Sequence, residues 1–144
     1  MASTQAKISK LFIDSSVLIA ASISATGSAR DLIISSINNK FKIVVSDLVL
    51  EETVRNLTNK APKALPALQL FLEALNPEVV SPSESLVIKV SKVIELKDAP
   101  IVAGAIAAKA EYLVSFDRKH LLQKNKEIKT NLKVKVVTPD EFLK

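Results

Sequence analysis

Two aspartates of this chain follow short apolar segments that have the length of buried strands. Asp14 comes directly after residues 11–13, and Asp117 comes just after residues 112–115. The carboxyl ends of parallel strands meet at one edge of a sheet, where open α/β folds bind their ligands. We therefore expect both carboxylates to project from the same edge, although each aspartate taken alone is also typical of a turn or helix cap.

Two further acids are placed to join them. Asp98 stands at the start of an almost wholly apolar helix that leads into the segment before Asp117. Glu51 and Glu52 lie on a helix after another apolar segment, and successive helical residues point about 100° apart, so one of the two faces the edge. The apolar pattern of that helix favours Glu52 and leaves Glu51 nearer solvent. The alternative is that both are ordinary first-turn acids stabilised by the helix dipole.

Carboxylates gathered in one place repel one another strongly. Two unit charges about 4 Å apart repel by about 4 kcal/mol at an effective dielectric of about 20, so convergence requires protonation or a bound cation. Oxygen ligands without histidine or thiolate suit Mg²⁺ or Mn²⁺ rather than zinc. Such a centre is suited to phosphodiester hydrolysis, in which divalent metals activate water and stabilise the leaving oxygen.

The composition excludes several other kinds of chemistry. The 144 residues include no cysteine and one histidine, which rules out a disulfide framework, a thiolate nucleophile, an iron–sulfur cluster and a multi-histidine metal site. The net charge of +5 is a weak indication of a polyanionic partner. Four of the fifteen acids belong to the candidate site, so the remaining eleven stand against twenty basic residues. The rest of the chain is therefore distinctly basic.

The order of apolar segments and helical patterns predicts an α/β fold with a mostly parallel sheet. Strands are expected at residues 11–13, 43–45, 112–115 and 134–137, because these short apolar segments do not alternate with polar residues. No linker, repeat or low-complexity tract divides the chain. We expect residues 1–144 to form one domain, with a loosely ordered segment over residues 1–9.

Start signals predict several helices. In residues 81–84, Ser81 is the expected N-cap of a helix that reaches about residue 96, Pro82 is its first helical residue, and Glu84 completes a capping box with Ser81. Thr138 begins the same pattern near the end of the chain, and Ser46 with Asp47 is placed to cap another helix. Further helices are predicted over residues 29–38, 48–57, 68–75 and 98–110.

Four motifs, in order, resemble those of the PIN domain family. They are residues 12–19 (FIDSSVLI), 45–52 (VSDLVLEE), 97–103 (KDAPIVA) and 112–122 (YLVSFDRKHLL). The similarity spans about residues 10–122. Any one motif is weak, whereas four in this order with these spacings are a strong indication of a PilT N-terminus-like nuclease.

The resemblance implies a fold, an activity and a site. The fold is a three-layer α/β/α sandwich with a sheet of about five strands, and the activity is Mg²⁺- or Mn²⁺-dependent cleavage of RNA. Matched to the motifs, the catalytic and metal-binding residues are Asp14, Glu52, Asp98 and Asp117, supported by Ser16 and Ser115. The first motif of the family more often reads Asp-Thr-Asn, where this chain has Asp14-Ser15-Ser16.

The same resemblance implies partners. Many microbial members are the toxin of a toxin–antitoxin pair and are homodimers, so RNA, a small antitoxin and a second copy of the chain are expected. The N-terminal segment imitates a secretory signal, but Asp14 and two serines interrupt it. No stretch reaches the roughly 18 apolar residues of a spanning helix. We therefore expect a cytoplasmic protein with no membrane partner.

Basic residues are the candidates for substrate contacts. Arg118 and Lys119, next to Asp117, are expected to contact the substrate backbone. His120 is treated as an ordinary exposed residue. With five phenylalanines, one tyrosine and no tryptophan, we expect recognition through phosphates and RNA shape rather than base stacking. A lysine stretch either contacts phosphates or forms a solvated face, and both interpretations stay open for Lys124, Lys126, Lys129, Lys133 and Lys135.

Two other hypotheses compete with a metal-dependent ribonuclease. One is a catalytically weak or inactive member of the same family that binds RNA or a protein without cutting. The other is a receiver-like or phosphatase-like α/β domain, which needs paired acids at the first strand, whereas residues 14–16 offer one acid only. Metal binding at the acidic site distinguishes the metal-dependent ribonuclease from the inactive member of the family.

Overall fold

The computed structural model of the chain describes residues 8–38 and 40–144. These residues form five strands: β1 Lys10–Ile13, β2 Lys42–Ser46, β3 Glu78–Val80, β4 Tyr112–Val114 and β5 Lys135–Val137. The strands make one sheet in the order β3-β2-β1-β4-β5, and every pairing is parallel. The α/β fold with a parallel sheet of five strands is confirmed.

The described residues also form eight α-helices around this sheet. They are α1 Ser15–Ile23, α2 Ser28–Ile37, α3 Asp47–Lys60, α4 Leu65–Leu75, α5 Glu84–Ser91, α6 Ala99–Ala107, α7 Asn125–Leu132 and α8 Pro139–Leu143. None of these helices alone has the length and apolar character of a membrane span; α1 and α2 reach both only when taken together, and the chain bends by 96° between them.

The central strand β1 determines where a ligand can bind. Its residues Leu11, Phe12 and Ile13 are all fully buried, so both faces of the sheet are covered at this point. Phe12 is paired with Val44 of β2 on one side and with Leu113 of β4 on the other. The chain thus leaves β1 in one direction and later returns to its other side, which creates a switch point at the carboxyl ends of β1 and β4.

Helix α6 packs against β1, β2 and β4, and small residues allow the close approach. A Cβ at position 104 would lie 2.7 Å from Cζ and 2.9 Å from Cε2 of the buried Phe12. The helix is buried as its apolar sequence predicts. It ends at Ala107 rather than at residue 110, and Lys109 then takes a left-handed backbone conformation with φ 58°.

Several helix boundaries differ from those predicted. Ser83, not Ser81, caps α5 by accepting a hydrogen bond from the backbone N–H of Leu86 at 3.2 Å, while the Ser81 hydroxyl donates to Asp47 at 2.8 Å. Helix α5 ends at Ser91, short of residue 96, and the turns that follow bury Ile94 in the core. The capping box at Thr138 is confirmed.

Three elements were not predicted. Strand β3 lies at the edge of the sheet and leaves Val79 half exposed, so it lacks the apolar character of a buried strand. Helix α1 is apolar on most sides, and α7 lies within the lysine stretch. The expected loose segment over residues 1–9 falls, for residues 1–7, outside the described residues.

Replacing Gly104 with alanine tests the fit of α6 on the sheet. Gly104→Ala is expected to lower the free energy of unfolding by about 1–2 kcal/mol, because overpacking a core outweighs the better helix propensity of alanine. Urea denaturation of this variant, alone and combined with Phe12→Leu, measures the effect. The added methyl group should cost far less in the Phe12→Leu background. A Gly104→Ala protein as stable as the parent would contradict this packing.

Candidate acidic active site

A cavity of about 400 Å³ opens at the carboxyl edge of the sheet, next to the switch point. Its acidic lining comes from separate elements: Asp14 follows β1, Glu52 lies on α3, Asp98 precedes α6 and Asp117 follows β4. The structure thus brings the predicted carboxylates to one cavity. The other lining residues are Ser15, Ser16, Ile19, Lys97, Ile101, Phe116 and Leu121.

Asp14 is the most buried of these acids, with 7% of its surface exposed. It caps α1, and its Oδ1 accepts a hydrogen bond from the backbone N–H of Ser15 at 2.7 Å. Its Oδ2 accepts from the hydroxyls of Ser115 at 2.8 Å and Ser16 at 3.2 Å. Three donors therefore fix the orientation of this carboxylate.

The same two hydroxyls also position the segment that carries Asp117. Ser115 Oγ accepts from the backbone N–H of Asp117 at 2.9 Å, and Ser16 Oγ accepts from that of Phe116 at 3.1 Å. Each hydroxyl carries one proton, and in both serines it is donated to Asp14. The departure from the usual Asp-Thr-Asn motif thus retains a side chain, Ser16, that hydrogen-bonds the first aspartate.

Burial raises the pKa of Asp14 above its ordinary value, because the charged form loses contact with water. The hydrogen bonds from Ser115, Ser15 and Ser16 oppose this shift, and the nearby charge of Asp117 adds to it. The ionised carboxylate is therefore costly in the protein without a cation. A cation beside Asp14 would favour the ionised form.

The shift has a consequence for stability. Between 3.8, the ordinary pKa, and the higher native pKa, the folded protein binds more protons than the unfolded chain, so stability falls as pH rises through this window. Asp14→Asn is therefore expected to raise the melting temperature of the metal-free protein at neutral pH by a few degrees.

Thermal unfolding in chelator measures this difference. The advantage of Asp14→Asn should shrink as the pH falls towards 3.8 and be lost below it, because Asp14 is then protonated in both the folded and the unfolded state. Ser16→Ala is the control, since it changes a neighbouring side chain without removing the charge. A metal-free Asp14→Asn protein that melts below the parent at neutral pH would contradict the account.

The two neighbouring glutamates of α3 face different surroundings. Glu52 lines the cavity and accepts a hydrogen bond from the Ser15 hydroxyl at 3.1 Å. Glu51 is exposed and lies 4.0 Å from Arg55 on the solvent side. The orientation therefore agrees with the expectation that Glu52 is the inward residue, while its chemical role stays a prediction.

His120 contacts two of the acids and is not the ordinary exposed residue that we expected. Its Nδ1 lies 3.3 Å from Asp98 Oδ2, and its backbone N–H donates to Asp117 Oδ1 at 3.0 Å. Lys97 Nζ lies 3.4 Å from its Nε2. A proton on Nδ1 satisfies both ring contacts, since the ring then donates to Asp98 and accepts from Lys97. The spacing of three residues from Asp117, within a turn, was the available signal.

The donor set fits a divalent cation of the magnesium type. All four cavity acids offer oxygen, and Asp14 Oδ1 retains acceptor capacity because the Ser15 hydroxyl lies closer to Glu52, at 3.1 Å, than to Asp14, at 3.4 Å. Across residues 8–38 and 40–144, the group of three potential ligands whose atoms all lie within 4.8 Å of one another is instead Glu95, Asp98 and His120. Lys97 Nζ lies 3.8 Å from Glu95 Oε2, so a positive charge already lies next to the group formed by Glu95, Asp98 and His120.

The predicted basic contacts lie outside this cavity. Arg118 and Lys119 are exposed and do not line it, whereas Lys97 does. Part of the lysine stretch surrounds a separate cleft of about 600 Å³ with Glu111. Because Glu111 precedes β4 and Lys135 begins β5, this cleft lies at the amino-terminal edge of the sheet. The lysines of this cleft are Lys126, Lys129, Lys133 and Lys135.

Together these features define an open, parallel α/β/α protein with a carboxylate-lined cavity at its switch point. The profile of the PIN domain matches residues 10–119. The chain therefore belongs to the PIN domain family, as its motifs indicated. No curated protein matches its sequence significantly.

Solved structures share this fold at low sequence identity. PAE2754 from Pyrobaculum aerophilum is 20% identical with a TM-score of 0.63, and the alignment covers 95% of this chain and 96% of that one. VapBC2 from Rickettsia felis, bound to a DNA fragment from its promoter, is 19% identical with a TM-score of 0.65 and coverage of 90% and 98%. VapBC-1 from nontypeable Haemophilus influenzae is 14% identical with a TM-score of 0.60 and coverage of 91% and 98%.

Proposed function

We propose that this protein is a metal-dependent endoribonuclease that hydrolyses phosphodiester bonds in RNA. The observation that carries the proposal is the convergence of acids from four separate elements on one cavity at the switch point. Asp14, a buried aspartate of the lining with a raised pKa, adds support, because strongly perturbed carboxyl groups cluster at functional sites. RNA is chosen as the substrate because of the family resemblance, and the basic balance of the remaining residues is consistent with a polyanion.

In the proposed mechanism Asp14, Glu52, Asp98 and Asp117 hold Mg²⁺ or Mn²⁺. When bound, such an ion supplies activation of water and neutralisation of charge at the scissile phosphate. The hydroxyls of Ser16 and Ser115 are proposed to hold Asp14 in place. Arg118 and Lys119 are proposed to contact the RNA backbone beyond the rim of the cavity.

The side chains of Lys97 and His120 are proposed to complete the site. Lys97 lines the cavity, and its ammonium group, which lies beside His120 and Glu95, is proposed to contact a phosphate oxygen as well. The ring of His120 lies between Lys97 and Asp98, and its role is to orient both groups. No covalent intermediate with the protein is required, because the chemistry is a direct attack of water.

The glutamate pair offers a matched test of this proposal. Glu52→Gln is expected to slow cleavage of a single-stranded RNA by at least about 100-fold, the scale seen when one charge-stabilising group is removed from an active site. Glu51→Gln makes the same chemical change on the adjacent, exposed residue, and it should retain activity. Initial rates with Mg²⁺ or Mn²⁺, with and without chelator, provide the measurement.

Three results would contradict the proposal. They are full activity of Glu52→Gln, full activity in excess chelator, and equal loss in Glu51→Gln. A DNA of the same sequence, tested in parallel, separates ribonuclease from general nuclease activity. Binding of RNA without cleavage, in a protein that also fails to bind Mn²⁺, would favour a catalytically inactive binding module.

We also propose a protein partner of the antitoxin type and a homodimer, in a cytoplasmic setting. The support is the resemblance stated above and the similarity in fold to VapBC2 and VapBC-1. Light scattering of the purified chain measures its oligomeric state, and a dimer is expected. Co-expression with the product of any small adjacent gene tests the antitoxin, with suppression of a growth defect as the expected result.

A further inference from the structure

We propose that one side of α3 forms a binding track for the phosphate backbone of the RNA next to the scissile bond. The inference rests on the proposed function and adds the residues that hold the substrate. It starts from a second cleft, of about 360 Å³, that shares Ser15, Ile19 and Glu52 with the acidic cavity. A strand lying over the acids therefore has a continuous path into this cleft.

The helical repeat explains why the track is continuous. Glu52 and the other residues of α3 in this cleft recur at intervals of three and four, which places them along one side of the helix. Val49, Thr53 and Leu57, on the neighbouring face of the helix, are buried. The residues of the track beyond Glu52 are Arg55, Asn56, Asn59 and Lys60.

The length of the track suits several nucleotides. From Glu52 to Lys60 the helix rises about 12 Å at ~1.5 Å per residue. A stacked strand advances about 3.4 Å along its axis per nucleotide, so roughly three to four nucleotide steps cover this distance. Helix α3 thus carries Glu52, which lies near the reacting phosphate, and then the cations Arg55 and Lys60, which lie near the neighbouring phosphates.

The side chains of the track are suited to phosphates rather than bases. The guanidinium of Arg55 offers a fork of donors that matches phosphate oxygens, and Lys60 adds a point charge. The amides of Asn56 and Asn59 can donate to phosphate or exchange hydrogen bonds with a 2′-hydroxyl. Ile19 is the apolar residue of the cleft, and an aromatic surface for stacking is absent from its lining. We therefore expect binding that tolerates any base sequence.

Neither cation of the track is neutralised strongly by the protein. Arg55 lies 4.0 Å from Glu51, with 60% and 70% of their side chains exposed, and exposed pairs of this kind contribute little. Lys60 does not occur among the ion pairs of the described residues. Both positive charges are available to an incoming polyanion.

The experiment measures RNA binding without cleavage. A fluorescently labelled oligouridine is titrated with the full chain in chelator, and anisotropy is recorded over a range of salt concentrations. The double variant Arg55→Gln/Lys60→Gln is compared with Lys126→Gln/Lys129→Gln, which removes the same charge from the cleft at the opposite edge of the sheet. Thermal unfolding confirms that both variants are folded.

The proposal predicts an unequal effect. The α3 variant should bind about tenfold more weakly, and its slope of log affinity against log salt should decrease by about 1.4, the effect of two lost phosphate contacts at ~0.7 each. The control should change affinity by less than about twofold, since its lysines lie at the other edge. An unchanged α3 variant, or an equal loss in the control, would overturn the proposal; unchanged RNA binding would leave an acidic protein segment as the occupant of the track.

Cleavage assays separate this proposal from the proposed function. In the presence of metal, Arg55→Gln/Lys60→Gln should raise KM and leave kcat nearly unchanged, because its residues hold the substrate but do not reach the reacting phosphate. If the parent protein does not cut RNA, and the α3 variant alone loses RNA binding, the track is supported and the nuclease activity is contradicted. If the parent cuts RNA, and the α3 variant has the same KM as the parent, the nuclease activity is supported and the track is contradicted.

Discussion

An aspartate that is almost removed from water stands at the end of the central strand, and the arrangement of the site depends on how that carboxylate is tolerated. Asp14 follows β1 at the switch point of the sheet, where it caps α1 and accepts hydrogen bonds from Ser16 and Ser115. These bonds offset only part of the desolvation, since the pKa of Asp14 remains raised. The two hydroxyls also hold the backbone that leads to Asp117. The same serines that stabilise one acid therefore set the position of a second.

The distribution of charge follows from this constraint. The acids of the cavity are concentrated at one edge of the sheet, while the remaining chain has a large excess of lysine and arginine. On α3 the sign of the charge changes within one turn, from Glu52 in the cavity to Arg55 in the adjoining cleft. A cavity lined by carboxylates therefore lies beside a cleft that carries the cationic side chains of Arg55 and Lys60. The proposed RNA substrate would match both parts of this surface, with the scissile phosphate at the metal in the acidic cavity and the neighbouring phosphates in the basic cleft.

The sequence was sufficient for the fold class and for bringing the acids to one edge of the sheet, because both depend on local patterns. Short apolar segments end in Asp14 and Asp117, and parallel pairing brings such ends together. Contacts between distant residues were harder to predict. The ring of His120 meets Asp98 only because a turn after β4 folds back over the start of α6, and no periodicity indicates such a turn. Strand β3 was missed for a related reason, since it is half exposed and exists through its pairing with β2.

The central claim is that the cavity acids hold a divalent cation, and anomalous diffraction from a crystal soaked in Mn²⁺ tests it most directly. The account predicts an anomalous peak among the oxygens of Asp14, Asp98 and Asp117, with Glu52 close by. Two results would contradict it. One is a cavity without a peak at saturating Mn²⁺. The other is a single peak between Glu95 and His120, the alternative group that shares Asp98.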